Sequence, residues 1–492
     1  MARASRTSLR LAAVVLAASL VSLACSLPGA RPATPTPTAT ATASAVAAPA
    51  ALTEAQVETL LRRAVCWYDA PALARTCLPL QPDARAVIEE MAQSGDRRFI
   101  APLVDMADID IGWWPQLDVA LRRLTGDRAD SPAAWRDWLA KHLPAPTTRG
   151  YAEWKARLLA LTQEPDTKPT YRDLLTERLG AALPLLHWAH AQPNASKPLT
   201  TPRAVTGRTA TWLEPDEVVY GLAVGGTARA YPLRIVAWHG AVNDVLGGQP
   251  VLLAVCAPCG SAVAFDRRLD ADTLEFGTSG LALQSRTLLH DARGGRLWDP
   301  LTGAAIGDPK VALAPVPMFT TTWADWFARH PETTVLDLTT GVLRDYGPGA
   351  ALAEVTAAHG PLYPATPLDP RLGAKEPVLG VLAGSEARAY PVAEVARRRL
   401  IRDRIGAQEV VIVTEGDGRA IGAYDATGVE FLRIIDSGVD LVVADRDGNR
   451  WAMRESALIN ERTRATRRAL PIRQSYWFAW ANAYPSTSLF AP

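Results

Sequence analysis

The chain has 492 residues, with 52 Lys+Arg against 51 Asp+Glu and 48% hydrophobic residues. Such a length exceeds one ordinary domain and permits a large core. A net charge of +1 supplies no field of either sign, which sets nucleic acid and acidic macromolecules aside as partners.

Residues 1–25 read as an export signal. Arg3, Arg6 and Arg10 form a basic start, and "LAAVVLAASLVSLA" from Leu11 to Ala24 is an apolar stretch ending in small residues, too short for a comfortable membrane span. The next residue is Cys25, and "SLAC" is similar to the lipobox of bacterial lipoproteins, although Ser22 stands where a leucine is usual. The expectation is a lipid on Cys25, anchoring the chain to the outer side of a bacterial membrane; an ordinary cleaved signal is the alternative. Residues 26–50 are rich in Pro, Thr and Ala, cannot bury enough apolar surface to fold, and read as a disordered stalk.

Outside the cytoplasm disulfides persist. Of five cysteines, a lipidated Cys25 leaves Cys66 with Cys77 and Cys256 with Cys259, an even set that permits two bridges. The Cys66/Cys77 pair sits in a segment with no other chemistry and reads as structural.

Residues 51–165 carry a helical period. Thr53 and Gln56 stand at capping-box spacing before Val57, Leu60, Leu61 and Val65, while Ser131 and Pro132 open a second amphipathic stretch holding Trp135, Trp138 and Leu139. This predicts an all-helical domain. Residues 166–204 form a connector with one helical stretch, "YRDLLTERLGAALPLLHWAHAQ", on which His187 and His190 fall at i, i+3; packing or surface histidines are the simpler reading.

Beyond it the sequence repeats. Residues 221–266 align with 380–425 at a constant offset of 159, without a gap and with 15 of 46 positions identical. "HDARGGRLW" (290–298) then parallels "ADRDGNRW" (444–451), and "TTWADWFARHPETTVL" (321–336) parallels "SYWFAWANAYPSTSLF" (475–490). The expected fold class is α+β: an N-terminal all-helical domain followed by two tandem mixed α+β repeats built on antiparallel sheets, 205–345 and 346–492.

The duplication separates scaffold from candidate chemistry. Arg229/Arg388, Tyr231/Tyr390, Asp244/Asp403, Trp298/Trp451 and Trp326/Trp480 recur and read as scaffold. His239, Asn243, Cys256, Cys259, Ser261 and His290 occur in the first copy alone, against Arg398, Arg402, Glu415, Gly418, Ala420 and Ala444. The second copy is therefore degenerate for any site built from them. His239 and Asn243, four apart, fall on one face of a predicted helix "PLRIVAWHGAVNDVLGG" leading into the strand that carries Cys256.

Cys256-Ala-Pro-Cys259 permits three readings. It has thioredoxin-type dithiol spacing, but "GSAVAFDR" alternates like a strand, so no helix dipole would lower a thiol pKa. It could form half of a metal knuckle for zinc or copper, completed by His239 or His290. The third reading is a disulfide closing a hairpin turn. No P-loop or dinucleotide fingerprint is present, so no nucleotide cofactor is expected.

"YPLRIVAWHGAVNDVLGGQPVLLAVCAPCGSAVAFDR", "FGTSGLALQSRTLLHDARGGRLWDPLTGAAIGD" and "TTTWADWFARHPETTVLD" together resemble the bacterial family catalogued as domain of unknown function 3179, over about residues 205–492. The resemblance implies an exported or lipid-anchored protein and no assigned reaction. His290-Asp291-Ala292 departs from the Tyr-Asp-Arg of similar members, which weakens His290 as a shared ligand.

The functional expectation is an extracytoplasmic lipoprotein in which Cys256 and Cys259, assisted by His239 and oriented by Asn243, bind a metal ion or perform thiol-disulfide chemistry. Its partner would be a small molecule, a metal or an envelope protein. The competing expectation is a non-catalytic envelope binding or scaffold protein in which the cysteines form a structural disulfide. Whether the chain is an enzyme stays open at this stage.

Overall fold

The computed structural model describes residues 51–65, 83–109, 114–144, 147–164, 166–415, 418, 420–437 and 440–491. The expected signal with Cys25, the Pro/Thr/Ala stalk and the Cys66/Cys77 pair lie outside them. Among the described residues no helix is long and apolar enough to cross a membrane.

The first elements are helices whose ends follow local capping chemistry. Helix Glu54–Ala64 begins at Thr53, whose hydroxyl accepts from the Gln56 N–H while the Gln56 side chain returns to the Thr53 N–H. Val57, Leu60 and Leu61 are buried on its inner face. Ser131 caps Pro132–Lys141, which buries Trp135 and Leu139. Under these helices lies a buried ionic cluster. Asp105 accepts from Arg136 at 3.0 Å, from Lys155 at 2.8 Å and from the Tyr151 hydroxyl at 2.5 Å, and Arg136 also pairs with Asp108. Lys155 donates onward to the carbonyls of Leu183 (3.0 Å) and Leu186 (2.5 Å), joining the helices to the start of the sheet region.

The helix expected across the connector does not form as one element. Tyr171–Leu174 makes a single turn, and Glu177–Leu185 is a 3₁₀ segment interrupted at Gly180, whose φ of 50° lies outside helical space. Leu186–Trp188 is then a strand paired with Phe276–Leu283, so His187 stands on a sheet and shares no helix face with His190.

The expected fold class is overturned. Beyond the helical region the chain forms a six-bladed β-propeller of small, mostly antiparallel sheets, with one two-stranded ribbon, Arg268–Leu269 with Asp272–Thr273. The reason lies in element length. Leu233–Val236, Val392–Arg398, Trp323–Arg329 and Trp477–Ala483 have four to seven residues, too few to layer a sheet. The strands, of two to eight residues, close several small sheets in place of one large one.

The duplication itself persists, with three blades from each copy. In the first they centre on the hairpin Val218–Val224/Thr227–Pro232, on Ala241–Leu246/Gln249–Cys256/Ser261–Asp266, and on Phe276–Leu283/Arg286–Asp291. In the second they centre on Pro377–Ala383/Glu386–Pro391, on Leu400–Ile405/Gln408–Val413/Gly422–Asp425, and on Phe431–Ser437/Asp440–Asp445.

The recurring residues make the same contacts twice. Tyr231 donates to Asp244 and Tyr390 to Asp403, both at 2.7 Å, with Arg229 and Arg388 pairing to the same carboxylates. The Trp298 indole donates to Asp291 at 2.9 Å and that of Trp451 to Asp445 at 3.0 Å. Trp326 and Trp480 donate to Thr333 and Thr487, and each ring lies against a strand glycine, Gly221 or Gly380, where a Cβ would collide with it.

Candidate functional site

Strand Gln249–Cys256 is buried from Val251 to its end, and Ala257–Cys259 turns it through one 3₁₀ step. Gly260 completes the reversal at φ 61°, the left-handed region, with the Tyr476 ring about 2.9 Å from where a Cβ would stand, so glycine meets both a backbone and a packing demand there. Cys256 and Cys259 are joined by a disulfide. Neither is exposed to solvent, and both belong to an apolar cluster with Ala254, Val263, Trp298 and Phe478. The Thr287 hydroxyl stands 3.6 Å from the Cys256 sulfur, and the buried hydroxyl of Ser261, the residue paired with Cys256 across the turn, has no hydrogen-bond partner among the described residues.

His239 and Asn243 do not share a helix face. The helix stops at Val236, Gly240 turns the chain at φ 68°, and Asn243 sits on the strand Ala241–Leu246. Both imidazole nitrogens of His239 are engaged, Nδ1 with the Lys197 carbonyl at 2.6 Å and Nε2 with the Tyr346 hydroxyl at 2.8 Å. That hydroxyl in turn shares a 2.6 Å hydrogen bond with Thr340. Burial pushes the His239 pKa below its ordinary value, against the raising effect of the Lys197 carbonyl. Asn243 acts as a clamp between blades, its amide donating to the Phe276 carbonyl at 2.8 Å and accepting from the Phe276 N–H at 2.9 Å.

His290 lies on Arg286–Asp291, with Nε2 3.1 Å from the Asn194 side-chain oxygen. Burial lowers its pKa as well. Asn243, Cys256 and His290 therefore stand on strands, while His239 and Cys259 lie in turns, each with its own partners. Among the described residues no group of three or more His, Cys, Asp or Glu is placed to hold a metal ion. In this arrangement the sulfurs are bonded to each other and both ring nitrogens of His239 are engaged, while Nδ1 of the buried His290 has no hydrogen-bond partner among the described residues.

Groups not singled out in the sequence mark the contacts between copies. Glu415 pairs with Arg329, and Glu455, itself buried, accepts from His330 at 3.0 Å. A cavity of about 130 Å³ lies between the copies, lined by Ala262, Val263 and Ala264 and by their counterparts Ile421, Gly422 and Ala423. The repeat alignment already held this pairing, since 262 and 421 differ by the same offset of 159.

Duplicated blades closing on one another, with a buried disulfide at one junction, define a six-bladed propeller in which Cys256 and Cys259 pack in an apolar cluster and Asn243 ties two blades. A family model described as "Protein of unknown function (DUF3179)" matches residues 198–487, and the chain belongs to that family. No curated protein and no solved structure matches it.

Proposed function

We propose that the chain is a non-catalytic binding protein of the cell envelope, held through a lipid on Cys25 at the outer side of a bacterial membrane, with the propeller as its display surface and Cys256–Cys259 as a structural bridge. The observation that carries this reading is the complete burial of both bonded cysteines in an apolar cluster. Thiol-disulfide exchange needs a sulfur that a thiolate can reach. Here reach would require opening the packing of Trp298 and Phe478.

Two measurements test it. Native protein is treated with moderate dithiothreitol, labelled with a maleimide and mapped by mass spectrometry. Protection of Cys256 and Cys259 until the protein unfolds is expected; rapid native-state labelling would favour thiol or metal chemistry instead. Palmitate incorporation that disappears in Cys25→Ser supports the anchor, and unchanged incorporation removes it.

A further inference from the structure

Another matched position at which the copies differ lies in the cleft between their second and third blades. In the first copy Arg267 is 8% exposed, and its guanidinium donates to three backbone carbonyls: Val251 at 3.1 Å, Leu274 at 2.5 Å and Asp244 at 3.1 Å. Continuing the offset of 159, Ala426 stands at the position of Arg267, with Asp403 and Val410 at those of Asp244 and Val251. Val429 corresponds to Leu274, since each donates its N–H at 2.9 Å to the carbonyl of residue 426 or 267 respectively. An alanine methyl donates nothing to such a carbonyl set. Around it opens a cleft of about 720 Å³, lined by Asp403, Val410, Ala426 and Val429 among others.

The same place has also lost a strand. In the first copy Leu199–Thr200 runs parallel to Ala241–Leu246, and the Thr201 N–H donates to the Asn243 carbonyl at 2.8 Å. In the second, Leu400–Ile405 is the edge of a three-stranded sheet among the described residues. Five carboxylates, Glu409, Glu430 and Asp447 among them, face three arginines in the cleft lining, and Arg388 pairs with a fourth member of the set, Asp403, which leaves an excess of one negative charge. Arg404 is paired with Glu409, and Arg402 and Arg446 both with Glu430.

We propose that this cleft binds an arginine side chain carried on an extended segment of a partner polypeptide. The guanidinium takes the place that Arg267 fills in the first copy, and the peptide backbone takes the edge that Leu199–Thr200 fills there. A planar fork with five donors matches a set of carbonyls better than a lysine ammonium does. This rests on the binding-protein reading and names its ligand.

The test is calorimetric titration of the full chain with the peptide acetyl-Ala-Arg-Ala-amide, against the same peptide carrying citrulline or lysine. Saturable binding of the arginine peptide is expected, at least about tenfold tighter than the other two. Ala426→Arg should abolish it by filling the cleft from within, as in the first copy, without lowering the melting temperature. Should that variant unfold, Ala426→Leu blocks the same space with no charge and should also abolish binding. No saturable arginine binding, equal binding of citrulline, or binding unchanged in a folded Ala426 variant would overturn the proposal. A native-reactive Cys256–Cys259 pair beside intact arginine binding would remove the structural-bridge reading alone; protected cysteines without arginine binding would remove the ligand alone.

Discussion

Glu415 pairs with Arg329 across the contact between the two copies, at the position where the first copy carries Cys256. The Arg329 side chain is 5% exposed at the end of Trp323–Arg329. At the reciprocal contact the cysteine turn seats against Tyr476 and shares an apolar cluster with Phe478. The same turn thus meets the other copy twice, on one side by apolar packing of a turn closed by its own internal disulfide and on the other by an ion pair. The second copy therefore needs no cysteines at this turn, because its contact is made by Glu415 with Arg329.

Replacing both Cys256 and Cys259 by Ser removes a bridge that closes a very short loop, worth about 2 kcal/mol in denatured-chain entropy, and buries two hydroxyls in an apolar cluster at further cost. A lowered urea midpoint is expected, while binding of the arginine peptide persists. An unchanged midpoint would show that the bridge contributes nothing to this contact.

Glu415→Gln leaves the Arg329 guanidinium buried beside a neutral partner. Breaking a fully buried pair from one side costs about 3 kcal/mol or more; with the Glu415 side chain 24% exposed and Glu455 also acting on Arg329, the loss here is smaller, about 1–2 kcal/mol, whereas replacing both members by apolar residues is often near neutral. Equilibrium unfolding should therefore rank the double variant Arg329→Met/Glu415→Leu above Glu415→Gln. The reverse order contradicts the assignment.

His187, His239 and His290 are all buried with pKa values pushed down by burial, His187 the furthest because Arg136 and Lys155 add their positive charge. Each is held neutral in the folded chain and takes up a proton on unfolding below the ordinary value of 6.5. Stability is then fully present above that pH and declines as pH falls toward the folded-state values, by at most about 1.4 kcal/mol per pH unit for each histidine. Urea midpoints from about pH 8 to about pH 5 should fall accordingly, and His187→Gln should flatten the slope by one proton. A flat profile contradicts the neutral assignment.

Gly221→Ala and Gly380→Ala should each destabilise the protein, because the added methyl meets the fully buried ring of Trp326 or Trp480. Overpacking of this kind costs about 1–3 kcal/mol. Alanine at Gly226, where nothing stands within 4 Å but φ is 77°, serves as the control for backbone strain alone. Equal losses at all three sites would remove the packing explanation.

Much of the scaffold was legible in the sequence. The offset between copies fixed which residues recur, and Tyr231–Asp244 and Tyr390–Asp403 show why, since each hydroxyl bonds the matched carboxylate. The architecture was not legible, because a Pro-to-Gly-Gly stretch with helical spacing reads the same whether the helix continues or stops at Val236 for a glycine turn. The same misreading put His239 and Asn243 on one face. Restriction of residues to one copy was a sound filter but carried two meanings: Asn243 is a clamp between blades, and the cysteines hold a contact whose counterpart is ionic. Arg267 against Ala426 passes that filter too, but its importance depends on three carbonyls that only the fold gathers.

The two unlike contacts also give the duplicated half-unit a sense of direction. Where the cysteine turn of the first copy finds Tyr476 and Phe478, the matching positions of its own copy are Thr322 and Ala324. Two first-copy halves set face to face would offer that turn no aromatic seat, and two second-copy halves would set Glu415 against Ala483 where Arg329 should be. What began as a symmetric pair has become a lock with two different keys, closing only when one half of each kind is present.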